Sequence, residues 1–421
     1  MQHLKRPQVL RVKSPASAVA AAASDAPLMG LAALLRLNFS GADLAVLGRA
    51  LLSRCQADAT DAAALMDASV LLQFKGEMDL AMTMQREALQ MRQHFCLPAV
   101  GKPRLRVLAL MAPGDLMANV PLECLLENSD AELHLYYLLP EGEGTDPIPA
   151  HDVVFVALSE TENNARQLDS LGRRLAEWPH PVVNRPEHIR RVARDRASEL
   201  LNDIPGIAMP PTLRIGRSAL AAIAGDGTSQ AALPPAIRFP LIVRPLDSHA
   251  GHDLHKVDDA AALDEYLHAV EGDEFFVSPF IDYRSGDGFF RKFRVALIDG
   301  RPYACHMGIS SHWMIHYLNA GMAESPAKRA EEERFMAAFD ADFARRHAAA
   351  LSAIHQRMDL EYVCIDCAEM PDGRLLVFEI DHAMVVHALD PVDVFPYKQP
   401  QMRKVFEAFR DMLARRAGLA R

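Results

Sequence analysis

No stretch of this 421-residue chain strings together the roughly 18 apolar residues that a membrane-crossing helix needs. Positive charge is also in short supply. Lys and Arg number 45 against 55 Asp and Glu, a net charge of −10, and the isoelectric point is near 5.9. That balance speaks against a nucleic-acid or anionic-membrane partner, while leaving room for a local basic channel. Cysteine is sparse: Cys55, Cys96, Cys124, Cys305, Cys364 and Cys367 are scattered through apolar contexts. They read as small core residues of a protein from a reducing, cytoplasmic compartment. Cys364 and Cys367 have C-x-x-C spacing, but at a strand end rather than a helix N-terminus. No second ligand pair accompanies them, so neither zinc nor redox chemistry is expected there. G-x-G-x-x-G is missing, which argues against a dinucleotide site. Near the start, Lys5, Arg6, Arg11 and Lys13 precede an alanine-rich run interrupted at Asp25. That run is too short for a secretion signal, and residues 1–27 are expected to form a flexible leader.

Against these absences stands one concentrated feature, residues 360–381 (LEYVCIDCAEMPDGRLLVFEID). Apolar runs at 362–365 and 375–380 flank Pro371, Asp372 and Gly373, the signature of a β-hairpin. Asp366 closes the first run. Glu379 and Asp381 stand on the second, two apart and therefore on one face of a strand. Converging carboxylates raise one another's pKa unless a cation neutralises them. Hard oxygen ligands of this kind suit Mg²⁺ or Mn²⁺. Two exposed acids at a strand end and a third in a turn are the plainer alternative, and the hairpin alone leaves both open.

Upstream, residues 28–97 are expected to be helical. Ala81 and Ala88 lie seven apart on one face and Gly76 falls at a helix junction, so 63–95 resembles a single tetratricopeptide unit. Such a unit serves as a partner or peptide surface, or simply as a helical hairpin packed on a neighbour. After a linker at 97–103, strands alternate with helices through residue 190, which indicates a parallel α/β domain. A helix carrying RDRASELL follows. Strand 241–243 presents Arg244 ahead of a loop at 248–252 that contains Gly251. An apolar strand is expected at 274–282 and another at 290–298 (FRKFRVALI), which carries three cations. Segment 308–322 (GISSHWMIHYLNAGM) is dense in polar and aromatic groups. Residues 324–358 read as one long helix or two shorter ones, and 399–419 as a closing helix.

These pieces, in this order, resemble the ATP-grasp superfamily of carboxylate–amine ligases over about residues 105–389. The resemblance is greatest to the glutathione-synthetase and ribosomal-protein-glutamylating branch. The matching places are Asp195, Arg196 and Leu200 on a helix, Arg244 before the loop 248–252, a hinge strand at 274–281, Arg294, and the set Asp366, Glu379 and Asp381. The resemblance implies an α/β (α+β) architecture, with an ATP-grasp fold at 191–421. Its nucleotide part would span about 191–282 and its metal and catalytic part about 283–421. A pre-ATP-grasp parallel α/β domain at 104–190 and the helical segment at 28–97 would precede it. The resemblance also implies ATP with Mg²⁺ or Mn²⁺: a carboxylate attacks the γ-phosphate, and an amine displaces phosphate from the acylphosphate. Arg196, Arg244, Ser248, His249, Ala250, Gly251, Ser278, Pro279, Phe280, Ile281 and Phe378 would surround the nucleotide, with adenine between Ile242 and Phe378. Asp366, Glu379 and Asp381 would hold the metal. Arg294, with Arg291, would offer fork-shaped donors to phosphoryl oxygens. His306, His312, Trp313, His316, Tyr317 and Asn319 would face the acceptor, since that region does so in relatives. A surface loop over packed aromatics is the alternative. His312 and His316 have the i,i+4 spacing of metal ligands, but no third ligand is evident.

This chain departs from the family pattern in four places. Arg196 and Arg244 stand where lysine is usual, keeping the charge but not the shape or reach. Asp381 replaces an asparagine, adding a negative charge. The loop has one glycine where relatives have two or three. His382, Ala383 and Met384 replace a small, turn-like sequence. Two other functions stay open: a kinase-like or carboxylate–thiol variant, and a nucleotide-binding scaffold that docks a partner through its helical segment. The expected partners are a small-molecule or peptide acid and amine, with a second copy or a protein partner on the helical segment.

Overall fold

The computed structural model describes residues 27–139, 146–226, 233–246, 248 and 251–419. Residues 1–26 of the expected leader lie outside the described residues. Four helices come first: α1 (Leu31–Phe39), α2 (Leu44–Ala57), α3 (Ala62–Phe74) and α4 (Met78–Met91). Asp43 and Asp61 cap α2 and α3 by accepting from the N–H groups of Ala45 and Ala64. Helices α3 and α4 are joined at Gly76, whose φ of +76° suits glycine. Ala81 and Ala88 are fully buried.

The start of α1 is held by two acids. The Asp67 carboxylate accepts from Met29 and Gly30 N–H at 2.9 and 3.0 Å, and Glu123 accepts from Leu31 N–H at 3.0 Å. These N–H groups have no partner within the helix, and negative charge at a helix start is favourable. Asp67 belongs to α3 and Glu123 to the helix Leu122–Leu126 of the next layer. One helix end therefore ties the helical segment to the α/β layer. Burial outweighs the hydrogen bonds and pushes Asp67 up to about 6 and Glu123 up to about 7.

That α/β layer begins earlier than expected. Strand β1 (His94–Leu97) leaves the helical segment and pairs antiparallel with β3 (Ala131–Tyr137). Four residues carry too little periodicity to be recognised alone, so only the pairing defines them as a strand. Strands β2 (Leu105–Met111), β4 (Val153–Val156) and β5 (Val182–Val183) complete a sheet of order β1-β3-β2-β4-β5, parallel except at β1. Every residue of β4 is buried, the pattern of a strand covered on both faces.

Two further sheets follow. Strands β7 (Leu213–Gly216), β8 (Leu241–Pro245), β9 (His255–Val257) and β10 (Glu274–Pro279) form an antiparallel sheet of order β7-β10-β8-β9. Its core joins Val243, Phe275 and Val277 to Leu263 and Tyr266 of the helix Ala260–Ala269. The other sheet has the order β12-β11-β13-β14-β6. It comprises β6 (Ile207–Ala208), β11 (Phe290–Ile298), β12 (Arg301–Ser310), β13 (Tyr362–Glu369) and β14 (Leu375–Asp381), with β6 parallel to β14 and the rest antiparallel. Its core is continuous with that of the parallel sheet. The whole is an α/β fold.

Polar splices hold the layers in register. Asn184, fully buried at φ +53°, donates to the Tyr362 carbonyl at 2.8 Å and accepts from Tyr362 N–H at 3.0 Å. His382 is also fully buried, and its Nε2 donates to the Leu158 carbonyl at 2.9 Å. The unusual residue after Asp381 thus anchors the end of β14 to the parallel sheet. Arg410, on the closing helix Lys398–Arg416, forks onto Asp130 with two bonds of 2.7 Å. The expected helical stretch at 324–358 is three pieces, Pro326–Ala338, Phe343–Arg346 and Ala348–Met358. The cysteines are all free, but not all are core: Cys96 is exposed and Cys55 half-buried.

Asp67 and Glu123 bind protons more tightly folded than unfolded. The stability they contribute is therefore greatest at low pH and declines as pH rises through their folded values. Glu123→Gln removes the charge while keeping an acceptor for Leu31. It is expected to flatten the fall in melting temperature between about pH 5 and about pH 8, and to raise the midpoint at the upper end by on the order of a few degrees.

Candidate functional site

Alternation along β11 puts Lys292 and Arg294 on one face of the strand. Register then sets Arg294 opposite Asp366 of β13, and Asp366 opposite Glu379 of β14. Asp366 is 2% exposed. Its Oδ1 accepts from Arg294 Nε at 2.8 Å, and its Oδ2 accepts from Arg294 Nη2 at 3.0 Å and Lys292 Nζ at 2.8 Å. Burial alone would raise its pKa, but the Arg294 and Lys292 charges outweigh it and hold the carboxyl well below the usual range. Arg294 Nη1 also donates to the Val385 carbonyl at 3.0 Å.

This cluster lines a cavity of about 510 Å³ walled by the β7-β10-β8-β9 sheet and the β12-β11-β13-β14-β6 sheet. Glu379 pairs there with Arg194, from the helix Arg194–Leu201. Asp381 lines the same cavity, and its Oδ1 accepts from Ala383 N–H at 3.0 Å. Arg244 on β8 is 6% exposed. Its guanidinium donates to the Ser248 hydroxyl at 3.0 Å and to the Ser248 carbonyl. Among the described residues no carboxylate pairs with it. Burial and then the nearby Arg194 charge push its pKa down.

Of the residues implicated by the sequence, the cavity wall brings together Arg244, Gly251, Ser278, Pro279, Phe280, Ile281, Phe378, Arg294, Asp366, Glu379 and Asp381. It also includes His306, Trp313, His316 and Tyr317. Trp313 meets Phe280 edge-on at 5.7 Å, and its carbonyl accepts from the Tyr283 hydroxyl at 2.5 Å. Gly251, at φ +77°, lies so near Met314 that a Cβ would stand 3.3 Å from its sulfur. Gly251 therefore packs against the segment 308–322. Burial, with the charges of Arg294 and Lys398, holds His306 well below its ordinary pKa.

Other residues sit elsewhere. Arg196 is exposed and pairs with Glu199 at 3.0 Å. Two positions turn a helix by about 200°, so Arg194 faces the cavity and Arg196 faces solvent. Arg291 lies on the far face of β11, paired with Asp287 at 2.7 Å and Glu331 at 2.5 Å. His312 is exposed, with its Nδ1 accepting from Met314 N–H at 3.3 Å. Asn319 is exposed and turns back to accept from His316 N–H at 3.0 Å, capping a single helical turn. Ser248 holds Arg244 and is not part of the main cavity wall. His249 and Ala250 lie outside the described residues.

Sequence reasoning missed two groups. Arg194 and Lys292 reach the cavity, and the alternation of Lys292 with Arg294 was already visible in FRKFR. The second group is α1, whose Leu31, Leu35 and Phe39 form part of the wall. Phe39 meets the His387 ring at 5.2 Å, a contact that no local pattern announces. Behind Tyr317 lies a buried polar knot. Glu332, fully buried, accepts from Tyr317 at 3.1 Å, Tyr397 at 2.6 Å and Met307 N–H at 3.0 Å. Lys398 donates to Tyr317 and, at 3.1 Å, to Asp390.

The acids only partly fit a divalent cation. Glu379 and Asp381 share one face of β14 in the cavity and offer hard oxygen donors. Both Asp366 oxygens already accept from Lys292 and Arg294. Among the described residues, the three side chains whose ligand atoms approach within 4.8 Å of one another are Cys96, Glu132 and His134, not these carboxylates. Asp366 therefore acts here as the counter-ion of two cations. Asp366→Asn would leave those cations buried without a balancing charge. It is expected to cost about 3–5 kcal/mol of unfolding free energy, measured by urea denaturation.

No family model matches the sequence. Among solved structures, the chain is similar to a RimK domain protein ATP-grasp from Sphaerobacter thermophilus, at 20% identity and TM-score 0.40 over 73% of this chain and 99% of that one. It is similar to a D-alanine–D-alanine ligase from Bacillus anthracis complexed with ATP, at 16% identity and TM-score 0.42 over 75% of this chain and 98% of that one. It is also similar to the VanG D-Ala:D-Ser ligase from Enterococcus faecalis, at 12% identity and TM-score 0.43 over 73% of this chain and 99% of that one.

Proposed function

We propose that this chain is an ATP-dependent ligase of the ATP-grasp type, which joins a carboxylate to an amine and releases ADP and phosphate. The observation that carries this reading is Arg244. A buried guanidinium without a carboxylate partner among the described residues is costly unless an anion completes it. Arg194, Lys292 and Arg294 line the same cavity, so the anion it suits is a polyphosphate, for which forked guanidinium donors are apt. The apolar groups Ile242, Ile281 and Phe378 beside Ser278 and Phe280 suit a purine ring.

In this reaction an oxygen of the acid attacks the γ-phosphorus and ADP leaves, giving an acylphosphate. The amine nitrogen then attacks the acyl carbon, loses a proton, and phosphate departs. Both steps load negative charge onto phosphoryl oxygens, so positioned cations are the main contribution the protein makes. Glu379 and Asp381 would hold a divalent cation, which would withdraw charge from the phosphate oxygens when bound. Asp366 keeps Arg294 and Lys292 charged and oriented. His306, His316, Trp313 and Tyr317 would contact the acid or amine.

A scaffold that binds nucleotide without turnover is the second reading. It is favoured by the closed ion pairs of Asp366 and Glu379, with the helical segment, tetratricopeptide-like in its α3–α4 hairpin, as a partner surface. Product analysis separates the readings across a panel of amino-acid and peptide acids with amines. A ligase releases ADP and phosphate only when acid and amine are both present. A kinase releases ADP without phosphate, and a scaffold releases neither.

Arg244→Gln is expected to weaken Mg-ATP binding, measured by calorimetry, about 10- to 100-fold, the loss of charge-assisted hydrogen bonds. Arg196→Gln should leave it within about twofold, since exposed ion pairs contribute little. Glu379→Gln should abolish turnover, with only a modest fall in melting temperature from the lost, partly exposed Arg194 ion pair. Unchanged ATP affinity in Arg244→Gln would overturn the assignment of this cavity to nucleotide.

A further inference from the structure

A second cluster of reactive side chains lies at the edge of the parallel sheet, and none of it lines the cavity. His94 and Cys96 stand on β1, and Glu132 and His134 on β3. The antiparallel register sets Cys96 opposite His134 and His94 opposite Tyr136. Alternation therefore puts all four side chains on one face. The Cys96 Sγ, a Glu132 carboxylate oxygen and a His134 ring nitrogen all lie within 4.8 Å of one another.

His134 is the telling member. It is 8% exposed, and its Nε2 has no hydrogen-bond partner. That nitrogen is 3.1 Å from Glu132 Oε1, near enough to share an ion. Its other nitrogen, Nδ1, is 3.0 Å from His94 Nε2. If Nδ1–H donates to His94, the Nε2 lone pair is left facing Cys96 and Glu132. That nitrogen makes no well-aligned hydrogen bond although Glu132 stands beside it, and an imidazole held from behind by a second group is the usual setting of a metal ligand.

We propose that Cys96, Glu132 and His134 form a binding site for a divalent transition metal, Zn²⁺ by its donor set. Water fills the fourth position, and His94 orients His134. One sulfur, one imidazole nitrogen and one carboxylate oxygen suit Zn²⁺ and do not suit Mg²⁺ or Ca²⁺, which take oxygen alone. On binding, the S–H bond breaks, a Zn–S bond forms and the proton passes to solvent. Thiolate and carboxylate then balance the two charges of the ion. The consequence is mechanical: β1 directly follows α4 and is a four-residue edge strand. An ion bridging β1 to β3 would staple the helical segment to the parallel sheet.

The test uses the full chain, stripped with a chelator and titrated with Zn²⁺ and, separately, with Co²⁺. One tightly bound equivalent is expected, with about one proton released per Zn²⁺. Co²⁺ should produce a thiolate-to-metal charge-transfer band. Zn²⁺ should raise the melting temperature of the unaltered chain and not that of Cys96→Ser. Affinity should fall about 100-fold or more in Cys96→Ser and Glu132→Gln, and about 10-fold or more in His94→Phe. ATP turnover should be unchanged in Cys96→Ser, which separates this site from the cavity. Binding without a thiolate band, a band that survives Cys96→Ser, or equal affinity in that variant would overturn the proposal. Should His134→Ala fail to fold, Cys96 is exposed and its serine variant carries the test.

Discussion

The geometry of the cavity depends on one buried carboxylate and two cations. Asp366 accepts from Arg294 with both oxygens and from Lys292 with one, and it is almost wholly enclosed. Such a group persists in a low-dielectric interior only when its charge is matched and its lone pairs are used. Meeting that condition fixes β11 against β13 to a single register, because a slip of one residue would send Lys292 and Arg294 to the opposite face. The positions of Glu379 and Asp381 on β14 follow from the same pairing.

Around this cluster, charge is nearly closed. Glu379 is answered by Arg194, Arg291 by Asp287 and Glu331, and Arg196 by Glu199. Arg244 stands apart, buried against Ser248 and close to a second arginine charge. An anionic ligand is the physical complement of that arrangement. The side of the cavity walled by the segment 308–322 is built differently. There Glu332 and Lys398 bind Tyr317 from behind, so the aromatic wall is positioned by a buried polar knot. The helical segment is no appendage to either part. Its first helix starts on Asp67 and Glu123 and puts Leu31, Leu35 and Phe39 into the cavity wall.

Much of this was legible in the amino-acid order, and some of it was misread. The hairpin bearing Asp366, Glu379 and Asp381 followed from two apolar runs around a Pro-Asp-Gly turn. The wall contributed by β8, β10 and the segment 308–322 followed from the order of the pieces. Arg291 lies with Asp287 and Glu331 on the face opposite Lys292 and Arg294, as the two-residue period of FRKFR already implies. The motif match falls on Arg196, whereas the start and phase of the helix turn Arg194 toward the cavity. Asn319 and His312 were expected to face the acceptor from the resemblance, and their side chains accept from the nearby backbone N–H groups of His316 and Met314, a role Asn and His side chains take readily at turns.

The sequence by itself determined the local elements, the faces of the strands and the supply of cations and acids, because these depend on neighbours two to four residues away. Tertiary structure alone decided which charges would meet. Asp366 found Lys292 and Arg294 across a strand pair, α1 found the cavity through two acids on other elements, and His94 and Cys96 found Glu132 and His134 through a short edge strand with no signature of its own. Pairings of this kind rest on register and burial between segments far apart in the chain, and no local period encodes them.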